Sequence, residues 1–328
     1  RVSVPRTELC ARSHRIEPCH VSSRRGRARE LEAGGADIVH MESGEPDFPR
    51  GAPVREAGRK ALADGRTGYQ PAAGLPALRE AIAGHYQRDH GVEVDPGRIL
   101  ITPGASGALL VALAMLADPG RNVLLPDPGY PCNRNFVEAV DAVPRAVRVD
   151  AGSDYQLTPG LAASACDERT AAMLVGSPGN PTGTLASAAD LARLAALGQR
   201  RGIGLIVDEI YHGLHYDGAP AQALANAPDA IVVNSFSKYF GMTGWRLGYI
   251  HAPQELIDEA GKIHSHSVSS AVNFVQHAGI EALSERTDDA VVEMRDAFRE
   301  RRDMLADLFA EHDVDVDVGE GAFYMMIP

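Results

Sequence analysis

Lysine is nearly absent from this chain. Its 328 residues carry 32 lysines and arginines together, yet only Lys60, Lys238 and Lys262 are lysine. Cysteine is almost as scarce, at Cys10, Cys19, Cys132 and Cys166. No C-x-x-C pair occurs, and the spacing suits neither a zinc ribbon nor a disulfide framework. Four reduced thiols in a cytoplasmic protein are the expectation. Long apolar runs are missing too. The longest, "GALLVALAMLA" at 107–117, falls well short of the roughly 20 residues that cross a bilayer, so no membrane partner is expected. Positive charge does not dominate. The formal net charge is −12 and the pI about 5.5, which argues against a nucleic-acid partner while leaving room for a local pocket for a small anion. The first thirty residues hold eight arginines against Glu8, Glu17 and Glu30. No apolar stretch follows them, so they are not a secretory signal.

What is present is a sizeable core and a repeating pattern. Hydrophobic residues make up 45% and charged residues 23%, as in globular proteins, and the length suits about two domains of roughly 150 residues each. "DIVHMESG" predicts a short strand entering a loop. From residue 76 onward, short β-branched runs alternate with helical stretches. "RILITP", "NVLLP", "PRAVRVD", "AAMLVGSP", "IGLIVDE" and "AIVVNSF" are strands; "LREAIAGHYQRDHG", "ASGALLVALAMLAD", "CNRNFVEAVDA", "LAASACDE" and "SAADLARLAALGQRR" are helices. Such alternation predicts βαβ units, hence an α/β fold with a mostly parallel sheet. This large domain is placed at 44–284. Residues 1–43 and 285–328 are assigned to a smaller α+β domain, with two helices after residue 284 and strands at "VDVDV" and "AFYMMI".

Ligands of a parallel sheet sit beyond the carboxyl ends of its strands. Those ends carry "PGASG", "DPGYP", "GSPGNPTG", Asp208-Glu209 and "SFSK". Gly104, Ala105 and Ser106 open a helix, where free backbone N–H groups attract phosphate. Ser235, Ser237 and Arg246 add hydroxyls and a guanidinium able to meet phosphate with two N–H groups at once. Lys238 follows a buried strand close to Arg246, a setting that can lower an amine's pKa toward nucleophilicity. Asp208 ends a strand buried on both faces, where a lone carboxylate needs a partner. An ordinary N-cap, a solvated lysine and a structural salt bridge are the plainer alternatives for these three features. His212 with His215, and His264 with His266, lack the spacing of a metal hydrolase, and no metal is expected.

Seven motifs in order, "GEPDF", "GYQPAAGLPALREAI", "TPGASGAL", "PDPGYP", "SPGNPTG", "VDEIYHGLHYDG" and "SFSKYFGMTGWRLGY", resemble the fold-type I, pyridoxal-phosphate-dependent aminotransferases of class I/II. The resemblance runs from about residue 30 to 328. It implies a transferase that takes an amino group from an L-amino acid to a 2-oxo acid with ping-pong kinetics, in a homodimer with shared sites. It implies that Lys238 forms the internal aldimine with pyridoxal 5′-phosphate and shuttles the α-proton. Asp208 would pair with the ring nitrogen. Asn180 and Tyr211 would hydrogen-bond the phenolic oxygen, and Tyr130 would stack on the ring. Gly104, Ala105, Ser106, Ser235, Ser237 and Arg246 would hold the phosphate, with Tyr69 reaching it from the neighbouring subunit. Gly44 and Asn180 would line the substrate's carboxylate site.

Two departures stand out. No residue matches the C-terminal arginine with which the family holds the substrate carboxylate, and the chain ends at Pro328, so a truncated small domain is expected. The segment around Cys19–Arg25 is more polar than the family's. Arg24 or Arg25 could face an acidic substrate, though a solvated face is the plainer expectation. Because function lives in a site rather than a fold, a C–S β-lyase, an oxidase or a cyclase on the same scaffold is the alternative. A ligand-sensing domain of a transcription regulator is a third, and it lacks a helix-turn-helix here.

Overall fold

A computed structural model of the chain describes residues 8–48 and 51–327. Arg1, Arg6 and Pro328, which figure in the expectations above, lie outside them. Seven strands build the main sheet: β1 (Ile99–Thr102), β2 (Asn122–Asp127), β3 (Val143–Arg148), β4 (Thr170–Gly176), β5 (Gly204–Asp208), β6 (Ile231–Ser235) and β7 (Gly248–His251). Their order is β1-β7-β6-β5-β4-β2-β3. The run from β3 to β6 is parallel, and β7 is antiparallel to both β6 and β1. The six expected strands of this sheet are all present.

β7 was not anticipated. It is four residues long and begins with glycine, so it carries little periodic signal. Its direction has a simple cause. A parallel return from β6 would need a crossover, usually a helix. The link from Ser235 to Gly248 contains only a 3₁₀ turn at Thr243–Trp245, so the chain doubles back and presents Lys238 and Arg246 in that turn-rich link.

Helices cover both faces, and the core is correspondingly double. One face packs Leu78, Ile82 and Tyr86 of helix Pro76–His90 against Leu205, Val207 and Tyr249. The three helix residues recur every four positions, one stripe of a 3.6-residue helix. Fully burying each stabilises by about 1.5–3 kcal/mol. The other face packs Leu109, Ala112 and Leu113 of helix Gly104–Leu116 against Leu125, Ile206 and Ile250. Strand neighbours alternate between the two clusters as the pleat requires.

Two expectations need correction. "DIVHMESG" is not a strand. Residues 37–44 pair with no strand among the described residues, and Val39 and Met41 are 82% and 78% exposed, so nothing covers the apolar positions that suggested one. Beyond residue 284 there is one long helix, Asp288–Glu311, after a 3₁₀ turn at Glu285–Thr287. No glycine or proline interrupts those 24 helical residues. "VDVDV" and "AFYMMI" supply only the short antiparallel pair β8 (Asp317–Val318) and β9 (Met325–Met326). Trp245 packs on helix Ala52–Ala63, where a Cβ at Gly58 would meet its ring at 2.8 Å.

Candidate active site

The carboxyl ends of β4, β5 and β6 converge with the start of helix Gly104–Leu116 and the far end of the chain. Gly104 has φ +72°, a conformation that glycine adopts at little cost. A Cβ there would lie 2.4 Å from Arg246 Nη2, and a Cβ on Gly248 would lie 2.6 Å from the Gly104 carbonyl carbon. Arg246 itself has φ +54° and gives Nη1 to the Thr243 carbonyl at 2.9 Å. The guanidinium thus arches over a helix N-terminus that only bare backbone can occupy. Ser235 Oγ lies 2.9 Å from Ser237 Oγ and accepts the Ser237 N–H at 3.0 Å. Both serines are buried. Ser235 pairs in register with Gly248, which brings the hydroxyls to the same corner. Ala105 is buried and Ser106 half-buried there. A cluster of N–H, hydroxyl and guanidinium donors of this kind suits a phosphate.

Lys238 Nζ donates to the Gly44 carbonyl at 2.5 Å and lies 5.7 and 5.6 Å from the ring centres of Tyr211 and Phe323. Burial lowers its amine to about 8. Glu45 and Asp208 oppose the shift, and Arg246 adds to it. Among the described residues Asp208 accepts one hydrogen bond, from the Ile210 N–H at 3.1 Å. Burial raises its carboxyl to about 7, with the neighbouring Glu209 adding to the rise and Lys238 opposing it. A carboxyl so placed, with one N–H donor and an amine nearby, suits a cationic ring nitrogen. The donor set therefore fits a phosphorylated pyridine aldehyde at both of its ends.

Between these ends, Tyr211 Oη and Tyr324 Oη are 2.7 Å apart, and Asn180 Nδ2 donates to them at 3.3 and 3.2 Å. Tyr130 caps helix Pro131–Ala139 and is 37% exposed. Asp208 and Tyr324 are among the groups that act on its hydroxyl. The structure thus gathers Lys238, Asp208, Tyr211, Asn180, Tyr130 and Gly44 around one point, with the Gly104–Arg246 corner alongside. It does not bring Tyr69 there. That ring is 89% exposed, on a loop held by Asn273 Nδ2 donating to the Gly68 carbonyl at 3.1 Å.

Three residues escaped the sequence-based selection. Tyr324 and Phe323 arrive from the far end of the chain because residues 320–322 are stitched down: the Ala322 N–H bonds Leu214 O at 2.8 Å, and the Gly321 N–H bonds Gly183 O at 2.9 Å. The aromatic pair after the Gly319-Glu320-Gly321 turn was the available signal. Glu45 accepts from Thr243 Oγ1 and lies 3.8 Å from Arg25. This places Arg25 at the rim of the site.

A sequence model of the family "Aminotransferase class I and II" matches residues 36–328. The probable aspartate/prephenate aminotransferase of Thermus aquaticus is 36% identical over 97% of this chain and 84% of its own. A valine–pyruvate aminotransferase of Mycobacterium tuberculosis is 40% identical over 70% of this chain and 59% of its own. The solved structure of Thermus thermophilus aspartate aminotransferase with maleate superposes with a TM-score of 0.93 at 34% identity, covering 97% of this chain and 84% of that one. The chain belongs to the class I and II aminotransferases. It is an enzyme that moves an amino group from an amino acid to a 2-oxo acid.

Proposed function

We propose that the chain carries out this transfer with pyridoxal 5′-phosphate, bound between the Gly104–Arg246 corner and Asp208. One observation carries the assignment. A lysine with a lowered pKa and a buried carboxyl with a raised one lie within electrostatic reach of each other, beside a glycine-built phosphate cradle. When bound, this cofactor supplies an aldehyde for the lysine and a protonated ring that accepts the electron pair of the substrate's α-carbon.

The protein's part is holding, orienting and moving protons. Gly104, Ala105, Ser106, Ser235, Ser237 and Arg246 would fix the phosphate. Asp208 would keep the ring nitrogen protonated. Asn180 and Tyr211 would hydrogen-bond the phenolic oxygen, and Tyr130 would cover a ring face. Lys238, with an amine near 8, can take the substrate's α-proton at Nζ and return it, as a general base should near neutral pH. Gly44 and Asn180 would line the substrate's carboxylate. The order is ping-pong: donor first, acceptor second. Residues 44–284 would form the cofactor-binding domain. The exposure of Tyr69 supports a homodimer in which it reaches the partner's phosphate. Of the described residues, no helix is long and apolar enough to cross a membrane.

The test is a visible absorption spectrum of the chain with pyridoxal phosphate, followed by a panel of L-amino acids. The relatives' names make aspartate and valine the first donors to try. A band that Lys238→Ala abolishes, and that one donor converts while releasing its 2-oxo acid, is the expected result. Release of ammonia and pyruvate from a cysteine conjugate would point to the lyase instead. No band from a folded chain would overturn the cofactor assignment.

A further inference from the structure

The N-terminal segment lies antiparallel along helix Pro131–Ala139. Arg12 Nη1 donates to Asp141 at 2.7 Å and to the Ala139 carbonyl at 3.3 Å. Arg15 Nε donates to Glu138 at 2.7 Å, and the Glu17 N–H to Asn135 Oδ1 at 3.0 Å. Arg15 Nη2 also reaches Asp141, at 2.9 Å, so from Arg12 to Glu17 the contacts run from Asp141 back to Asn135, and the next pair in this direction is Cys19 with Cys132. Positions 132, 135 and 139 share one helix face at spacings of three and four. The two thiols are polar neighbours, each acting on the other's acidity, and the Tyr130 side chain is a further neighbour of Cys132.

The pair is asymmetric. Cys19 is exposed at the N-cap of helix His20–Ala33. The Ser22 hydroxyl, then its backbone N–H, hold the Cys19 thiol below its ordinary range. Cys132 is half-buried, and burial pushes its thiol up. An accessible, acidic thiol beside a sheltered one is the layout of an attacking and a resolving cysteine. Aminotransfer uses neither.

We propose that Cys19 and Cys132 are a redox-active pair that closes to a disulfide when the chain meets a low-molecular-weight disulfide such as oxidised glutathione. The Cys19 thiolate attacks one glutathione sulfur, forming a mixed disulfide and expelling the first glutathione. Cys132 then attacks the Cys19 sulfur and expels the second. Two protein thiols lose two electrons, one glutathione disulfide gains them, and the two thiol protons end on the two glutathiones. The bond staples the segment that leads to Gly44 onto the helix capped by Tyr130, one element from each side of the site.

Cys10 supplies an internal control. It is exposed and its thiol is likewise lowered, but the groups acting on it are Ser13 and Arg12, with no second thiol among them. The experiment treats the folded chain with oxidised glutathione and maps its peptides by mass spectrometry without reduction. The expected result is a Cys19–Cys132 peptide that dithiothreitol separates, with glutathione retained on Cys10. Cys132→Ser should trap glutathione on Cys19. In Cys19→Ser, Cys132 should react about tenfold slower than Cys19 does in the parent chain. Glutathione left on Cys19 in the parent, or Cys19 joined to Cys10 or to a second chain, would overturn the proposal. The readout needs neither cofactor nor substrate, so it stands apart from the test of the transfer reaction.

Discussion

Asp208 and Glu209 are adjacent carboxylic acids at the end of one strand, and they point to opposite faces of the sheet. Asp208 faces the lysine, and the described structure gives it one backbone N–H. Glu209 is fully buried on the other face, where the Ala223 N–H meets it at 2.8 Å and the Tyr86 hydroxyl at 3.4 Å. His212 sits 3.5 Å away. A small cavity of about 60 Å³, lined by Tyr86, His90, His212 and Tyr249 among others, lies on this second face rather than at Lys238. Burial raises both carboxyls, Asp208 to about 7 and Glu209 to about 8. The difference lies in their partners. Glu209 is provided for by the chain's own donors and acts as a structural group. Asp208 has one backbone N–H among the described residues and faces the Lys238 amine, which is why the proposed function gives it the cationic ring nitrogen. Burial and pKa alone would not tell them apart; the hydrogen-bond partners do.

The comparison can be broken in order of effect. Lys238→Ala should cost about 10⁴-fold or more in kcat, with the melting temperature essentially kept, because among the described residues the amine's one acceptor is the Gly44 backbone carbonyl. Asp208→Asn should cost about 10³-fold in kcat and, unlike a structural change, should leave the fold intact. Glu209→Ala should reverse that pattern. It strands the Ala223 N–H and the Tyr86 hydroxyl, at about 2 kcal/mol of stability, while kcat stays within about threefold. Equal kinetic losses in the two variants would abolish the distinction. Tyr324→Phe should lower kcat about tenfold, by removing one partner of Tyr211 and Asn180.

A pH series on the cofactor-free chain sharpens the contrast. A carboxyl with a raised folded-state pKa keeps its proton in the folded chain after the unfolded chain has lost it. The stability this confers is complete below about pH 4, near the ordinary carboxyl values of 3.8 and 4.5, and is lost as pH rises through 7 to 8. Asp208→Asn removes that loss. Its stability should therefore match the parent's near pH 4 and exceed it increasingly up to pH 7, where the gain is about 4 kcal/mol. A difference that does not vary with pH would show that Asp208 is not the titrating group. Burial lowers His90 and His212 to about 4, and their contribution runs the other way between 6.5 and 4, so variant and parent must be compared at each pH.

The strand and helix pattern of the main sheet was legible because its elements are short, β-branched or periodic, and punctuated by glycine and proline. So were the residues at the strand ends, since topology places strand termini together. What stayed hidden depended on distance along the chain. β7 carries no periodicity, and its place follows from a link too short for a crossover. Tyr324 reaches Asn180 through two backbone hydrogen bonds that no local pattern announces. Val39 looked like a strand residue because a β-branched run signals a strand whether or not a neighbour exists. Cys19 and Cys132 look unrelated in the sequence and meet because Arg15 and Glu17 dock on a helix more than a hundred residues away.

The strand order also bears on how the chain is made. β1 is an edge strand whose one partner in the sheet is β7, so Thr102 waits for Gly248. A ribosome releasing roughly 5–20 residues per second exposes the apolar helix Gly104–Leu116 for many seconds before the strand that secures its base exists. The corner built from Gly104 on one side and Arg246 on the other can close only after residue 248 has been made. Long-range closure of this kind is slow and leaves hydrophobic surface unguarded. Nascent chains paused between residues 116 and 248 are where a chaperone holding this protein would be found.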